Sequence, residues 1–425
     1  MSVDPTRMCE LLVGLHDVNV LSVVENEGRL TVAIEQPQRL TACRSCGSLA
    51  TVKDRDRLEL GDLPAFGQAV TLVWVKRRWS CPAVLCPTGS WTEQDPRIAA
   101  ARCRLTRRAG LWATRQVGEQ GRAISAVAGE ISVGWHAVQS ALEVYGTPLI
   151  DDPARTADVS MIGVDETGFL KAKPKVATRF VSAVVDIARP RVLDLFEGRH
   201  APQLDQWLAD QPASWKAGIE VTVCDLHEPF RRALRKHFPD AITVADPFHV
   251  VGVATRALDK VRRRVQNETL GHRGRTADPL YRARKLLTKA AERLDDAGTA
   301  KLRGLLAAGD PDGHVHAAWL AKECVRDLYT LAADPDVAAA WLDGVIEDCA
   351  TAKPAELRSM GSTLKRWRDQ ILNWHITGAS NGPTEALNLL IKKIKRVGHG
   401  FRNFDNYRLR VLLYTGGCNW NLLGH

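Results

Sequence analysis

The chain has 425 residues, of which 45% are hydrophobic and 25% charged, a globular composition with enough length for roughly two to four domains with cores of their own. No uninterrupted apolar stretch is long enough for a membrane span, and "MSVDPTRMCELLVGLHDV" has early acids and no cleavable apolar segment, so a cytoplasmic protein with no membrane partner is expected. The formal charge of +9 favours a polyanionic partner.

The charge is concentrated in three zones. Residues 101–123 carry six arginines against one acid, residues 251–275 seven Lys or Arg against two acids, and residues 391–410 seven against one. Such runs are solvated faces in many proteins; three of them in one chain also suit a long contact path on a polyanion.

In chain order, residues 1–100 come first. "CRSCG" supplies Cys43 and Cys46, and "RRWSCPAVLCP" supplies Cys81 and Cys86, with the strand-like "AVTLVWVKRRW" between the pairs. Two close pairs on either side of a strand are the layout of a zinc ribbon, in which two thiolate knuckles hold one structural Zn2+. The other six cysteines, Cys9, Cys103, Cys224, Cys324, Cys349 and Cys418, are scattered and read as core residues.

Residues 101–150 read as short helices. Ile124, Val127, Ala128 and Ile131 make one apolar stripe; Trp135, Val138 and Leu142 make a second after a break at Ser132–Gly134. The pattern predicts a helix-turn-helix, with Ser132 where the tight turn usually has glycine. In that register His136, Gln139 and Ser140 face base edges, while upstream arginines such as Arg107 and Arg108 contact phosphates. A plain helical bundle is the other reading of the same stripes.

From residue 160 the texture changes. "MIGVDETGF", "RFVSAVVDI" and "RVLDLFEGR" are three consecutive strand candidates, followed by "EVTVCDLHEPF" and "AITVADPFHVV" alternating with helices. This predicts an α/β fold with a mixed sheet and helices on its faces over 151–250. Asp165 ends the first apolar run and Asp225 the fourth. Taken singly, a strand-end aspartate is a turn former or helix cap. Residues 251–375 read as a large helical insertion containing Trp319, Trp341, Trp367 and Trp374, which suit either core packing or stacking on a splayed base.

The last segment, 376–425, contains "NGPTEALNLLIKKIKR". Leu387, Leu390, Ile391 and Ile394 recur at helical spacing, with Lys392, Lys393, Lys395 and Arg396 towards the C-terminal end. Glu385 sits in the first turn, where it complements the helix dipole. Two strand-end aspartates and a glutamate on a later helix also compose a set of hard oxygen ligands, which suits Mg2+ or Mn2+ and in-line phosphoryl transfer.

The stretch "NGPTEALNLLIKKIKRVGHGFRNFDNYRLRV", with "GVDE" and "VCDLHEPF", resembles the DDE transposases of bacterial insertion sequences, specifically the ISL-three family. The resemblance covers most of the chain and implies an RNase H-like core preceded by a zinc ribbon and a helix-turn-helix. It places the catalytic metal ligands on Asp165, Asp225 and Glu385. It sets Asp246 and His249 of "ADPFHV" beside the site, with Asp246 a competitor for the second ligand position. Glu166 is the less suitable neighbour of Asp165, because strand alternation turns it away. The implied partners are the element's terminal inverted repeats and target DNA, met by a homodimer or higher oligomer in a nucleoid-associated bacterial protein. Lys392, Lys393, Lys395, Arg396 and Arg402 would meet phosphates. A transposase-derived regulator without catalysis and an RNase H-like metal nuclease are the alternatives.

Overall fold

The computed structural model describes residues 14–424 apart from 16, 171–177 and 199–200. Cys9 and most of the N-terminal segment lie outside the described residues. The chain divides into two compact units, residues 1–156 with 389–425, and residues 157–388.

The first unit begins with a five-stranded sheet built from β1 (Asn19–Asn26), β2 (Arg29–Glu35), β3 (Thr51–Ala65), β4 (Gln68–Ser80) and β5 (Ser90–Thr92). The order is β1-β2-β4-β3, with β5 paired to β4 and the β2–β4 pair parallel. The β3–β4 hairpin turns at Phe66 and Gly67, both at positive φ, 51° and 78°, as a primed two-residue turn requires. Alternation along β4 turns Val70, Leu72 and Trp74 into a core shared with Val32, Ile34, Leu60 and Ile98.

Three helices follow: α1 (Arg107–Gly118), α2 (Ile124–Glu130) and α3 (Trp135–Ala141), the last running through a π turn at Leu142–Gly146 into α4 (Thr147–Ile150). Thr106 caps α1: its Oγ1 accepts from the Ala109 amide at 3.3 Å and donates to Asp62 Oδ1 at 2.6 Å. The buried stripe is Ile124, Val127, Ala128, Ile131, Val138 and Leu142, as the helical spacing predicts. Trp135 departs from it and is 42% exposed.

The second unit is an α/β body. Its sheet contains β6 (Met161–Leu170), β7 (Arg179–Asp186), β8 (Arg191–Glu197), β9 (Val221–Cys224) and β10 (Ile242–Ala245) in the order β10-β9-β6-β7-β8. The β6–β7 and β7–β8 pairs are antiparallel, and β9 and β10 join β6 in parallel. This is the mixed sheet that three consecutive strands followed by strand–helix alternation predict, and its order agrees with the RNase H-like core that the resemblance implies. Crossover helices α5 (Ala201–Asp210), α6 (Ala213–Ala217) and α7 (Glu228–His237) lie between β8 and β10 in the chain.

One sheet face, with Ile162, Val164, Val184 and Leu193, belongs to the core formed with Leu204, Leu208, Phe230 and Leu234 of the crossover helices. The other face, with Val221, Val223 and Val244, packs against Ala379 and Trp374.

The predicted insertion is helical throughout most of its length. It starts within α8 (Pro247–Leu270) and continues as α9 (Pro279–Thr288), α10 (Asp296–Gly309), α11 (His314–Thr330), α12 (Pro335–Thr351), α13 (Ala355–Arg366) and α14 (Arg368–Thr377). Its tryptophans are packed: Trp367 is buried beneath the Arg231 guanidinium, and Trp341 Nε1 donates to the Cys324 carbonyl at 2.9 Å. Trp374 makes an edge contact with Tyr329 at 5.2 Å, and Trp319 stacks on His316.

The chain ends with α15 (Gly382–Val397) and α16 (Phe404–Thr415). The division between the units falls inside α15, after Asn388. The structure therefore differs from a single C-terminal segment over 376–425 belonging to the catalytic core: residues 389–425 join the first unit. The reason is apolar burial, because Tyr407, Leu409, Val411, Leu412 and Leu413 of α16 are buried and the helix packs against α1 and α4.

Candidate active site

Two clusters of ligand-type side chains occur among the described residues. The first is Cys43, Cys46, Cys81 and Cys86. Tight turns present them: the Cys43 amide donates to Ser48 O, the Cys81 amide to Gly89 O and the Cys86 amide to Ala83 O. Cys43 and Cys86 sulfurs are 3.6 Å apart and those of Cys46 and Cys81 3.4 Å, near the roughly 3.8 Å edge of a tetrahedron with Zn–S bonds of about 2.3 Å. The amides of Ser45 and Cys46 hold the Cys43 thiol well below its ordinary range, at about 6. The Ala83 amide pulls Cys81 down too, but burial and the three neighbouring sulfurs push it up to about 12. Four thiolates need a cation between them, and Zn2+ fits this set in ligand type, number and spacing.

The second cluster lies in the α/β unit. Asp165 is on β6, with Oδ1 accepting from the Glu166 amide at 2.7 Å and Oδ2 accepting from Asn388 Nδ2. Asp225 follows β9 directly. Asp246 follows β10 and caps α8, its carboxylate accepting from the His249 amide; its Oδ1 accepts from the Asn381 amide at 2.8 Å. His249 Nδ1 is 2.8 Å from Asp225 Oδ1 and 3.2 Å from Asp246 Oδ2. Ligand atoms of Asp246, His249 and Glu385 all lie within 4.8 Å of one another.

Gly163 explains how α15 reaches β6. A Cβ there would sit 2.5 Å from Thr384 Oγ1 and 2.6 Å from Asn381 Oδ1, so only glycine lets the first turn of the helix pass this close. Gly163 and Asp165 share a strand face, and Asn381, Thr384, Glu385 and Asn388 share a helix face.

The electrostatics are those of crowded carboxylates. Burial, then the negative charge of Asp225, push the Asp165 carboxyl up to about 6. Burial by itself would lower His249, but the Asp225 and Asp246 carboxylates overcome it and raise the imidazole to about 10. Asp225 Oδ1 and Asn388 Oδ1 are buried without a hydrogen bond of good geometry. Oxygen donors that repel one another and have unused acceptor capacity fit a hard divalent cation.

Asp165, Asp225, Asp246, His249 and Glu385 thus lie in one unit: Asp225 and Asp246 directly follow β9 and β10, His249 and Glu385 are in the first turns of α8 and α15, and Asp165, expected at a strand end, lies in the middle of β6, paired with Ala183 of β7. Asn381 and Asn388 escaped the sequence reading. Their signal was the two asparagines flanking Glu385 in the quoted signature, Asn381 directly before α15 and Asn388 within it, both buried.

The expected nucleic-acid contacts divide. Arg107, His136, Lys392, Arg396 and Arg402 are exposed, and Ser140 and Lys395 are half-buried. Gln139 is buried, donating to Glu143 at 2.8 Å and Asn406 at 3.1 Å, so it holds α3 in place and does not face solvent. Arg108 Nε donates to the buried Asp62 at 2.9 Å and ties α1 to β3. Lys393 is engaged by Tyr414, through its hydroxyl and 4.7 Å from its ring centroid.

Comparison with known proteins gives a consistent result. Residues 162–411 match a family described as transposase, and residues 39–86 match the zinc finger of the transposases of IS204, IS1001, IS1096 and IS1165. The transposase for insertion sequence element IS1557 of Mycobacterium tuberculosis is 25% identical over 444 aligned positions, covering 93% of this chain and 92% of that protein. The transposase for insertion sequence element IS1001 of Bordetella parapertussis is 23% identical, covering 91% of this chain and 92% of its own length.

Proposed function

The chain belongs to the ISL-three family of insertion-sequence transposases, and from that premise we propose that it binds the terminal inverted repeats of its element and cleaves and joins DNA strands at the Asp165–Asp225–Glu385 centre. The observation that carries this reading is the convergence of side chains 223 residues apart in sequence: Asn388, three residues after Glu385 on α15, donates to Asp165 on β6.

Asp165, Asp225 and Glu385 would hold Mg2+ or Mn2+, which when bound activates a water or 3′-hydroxyl and stabilises the leaving oxygen of the phosphodiester. The rest is done by the chain itself. Asn388 fixes the direction of one Asp165 oxygen. Asp246 is held by the amides of His249 and Asn381 and anchors the start of α8 beside the centre. His249 keeps a proton on Nδ1 between Asp225 and Asp246 and lowers their mutual repulsion.

End recognition falls to the first unit. His136, with Ser140 beside it, is the base-reading candidate on α3; Arg107 and, on α15 and the loop after it, Lys392, Arg396 and Arg402 meet phosphates. A homodimer or higher oligomer would bring two element ends together with target DNA.

The test pairs a gel shift on the element's end with a cleavage and joining assay. Asp165→Asn, Asp225→Asn and Glu385→Gln should each lower cleavage at least about a thousandfold, about 4 kcal/mol at 1.36 kcal/mol per factor of ten, with repeat binding nearly unchanged. Substantial cleavage by any one variant removes that residue from the ligand set and makes Asp246 the next to be tested.

A further inference from the structure

The middle basic zone has no role in the function proposed above, and its placement gives it one. We infer that the exposed face of α8 is a track for the DNA strand leaving the carboxylate centre, with Phe248 stacking on a base at its head and Arg256 and Lys260 holding phosphates along it. The inference rests on that centre acting on DNA.

Three observations support it. Phe248 is 67% exposed in the first turn of α8, one residue before His249 and in ring contact with it at 5.4 Å. A large aromatic left open beside a polar centre has unused stacking surface, and every nucleobase has a face to offer it. Phe248, Gly252, Arg256 and Lys260 then follow at four-residue intervals, within roughly a third of the helix circumference. Gly252 adds no side chain, and the Arg256 guanidinium lies over it, with Nη1 3.2 Å from where a Cβ would be, so the cation rests on this same face.

The charges on α8 are also sorted. Arg256 and Lys260 are exposed, and among the described residues neither has an ion-pair partner. The nearby acids are already neutralised. Asp259 pairs with Arg262 and Arg263, and Glu268 and Glu356 pair with Arg264. Two cations remain for an external polyanion, on the same helix that begins at the candidate centre. From Phe248 to Lys260 the helix rises about 18 Å, the length of roughly five nucleotides at about 3.4 Å each.

The test uses the full chain and a mixed-sequence duplex of about 30 base pairs, measuring log affinity against log salt. Arg256→Ala with Lys260→Ala should lower the slope by roughly 1.8, at about 0.9 per phosphate contact. Lys301→Ala with Arg303→Ala, exposed cations on α10, should leave it unchanged, and the charge-keeping exchange Arg256→Lys with Lys260→Arg should restore it. Superimposable slopes for parent and the α8 variant overturn the track, as does an equal fall in the α10 variant, which would mean bulk charge alone. A parent that binds no DNA sinks the proposed function itself, a result distinct from the first two. For the head of the track, Phe248→Ala should weaken binding of a mixed-sequence single strand about tenfold while Phe248→Trp retains it. Equal affinity of the alanine variant and the parent removes the stacking role.

Discussion

The cysteine cluster and the carboxylate cluster both gather groups that repel one another, and the chain assembles them in opposite ways. The cysteines arrive in two local pairs on tight turns, one of them directly after β4, and the hairpin that separates the pairs also spaces them. The carboxylates arrive one at a time, from β6, from the ends of β9 and β10, and from a helix more than a hundred residues later. The first arrangement needs a cation to complete it. The second carries an internal substitute, because His249 sits between Asp225 and Asp246 at ion-pair distance. A structural site can therefore depend wholly on its metal, whereas a site meant for exchange must survive without one.

The largest effect that would break this contrast concerns zinc. A structural Zn2+ contributes on the order of 10 kcal/mol to ordering its ligands, and the four sulfurs gather within 4.8 Å of one another. Cys46→Ser should take the protein from about one zinc per chain to well below one and open the knuckles at 43–48 and 81–89 to protease, while Asp225→Asn leaves zinc content unchanged. Metal analysis with limited proteolysis checks both. A folded, protease-resistant Cys46→Ser protein lacking zinc would show that the hairpin core holds the knuckles unaided.

What was legible in the sequence follows the same division. The cysteine pairs, β4 and the helix-turn-helix stripes were readable because every residue involved lies within a few turns of its partners. The mixed α/β character of the second unit was readable because three strands in succession followed by strand–helix alternation suit a mixed sheet, although the strand order itself came only from the structure. The partners of the carboxylates were not. Nothing in periodicity says that Asn388 faces Asp165 or that Asn381 secures Asp246, since both contacts depend on how α15 lies on β6. The same limit hid the burial of Gln139 and the capture of Arg108 by Asp62. Composition marks such residues as polar and available, and only tertiary packing shows that the protein uses them itself.

The approach of α15 to β6 gives the next prediction, smaller than loss of zinc. Gly163→Ala places a methyl 2.5 Å from Thr384 Oγ1 and 2.6 Å from Asn381 Oδ1, and both residues are fully buried and short, so neither can swing away. Overpacking of this kind costs about 1–3 kcal/mol, which should appear as a lower melting temperature of the α/β unit. Cleavage should fall by more than the lost stability explains, because the same shift moves Glu385 and Asn388 from Asp165. Repeat binding and zinc content should not move. An alanine variant with the parent's melting temperature and cleavage rate would mean that α15 does not rest on this face of β6 in solution.

The smallest effect lies in the turn between α2 and α3. Ser132 occupies the left-handed region at φ 52°, the position where the sequence pattern expects glycine. An L-residue held there loses about 1–2 kcal/mol to the contact between Cβ and its own backbone, and Ser132 is exposed, so no buried partner repays it. Glycine removes that contact but gains freedom in the unfolded chain, which takes back about 0.4–1 kcal/mol. Ser132→Gly should therefore stabilise the first unit by about half to one kcal/mol, and Ser132→Val should destabilise it, since a β-branched side chain tolerates this region least. Calorimetry on the three proteins orders them Gly above Ser above Val if the turn is built as a helix-turn-helix. The helical-bundle reading has no need of a left-handed residue at this point, and three equal transitions would favour it.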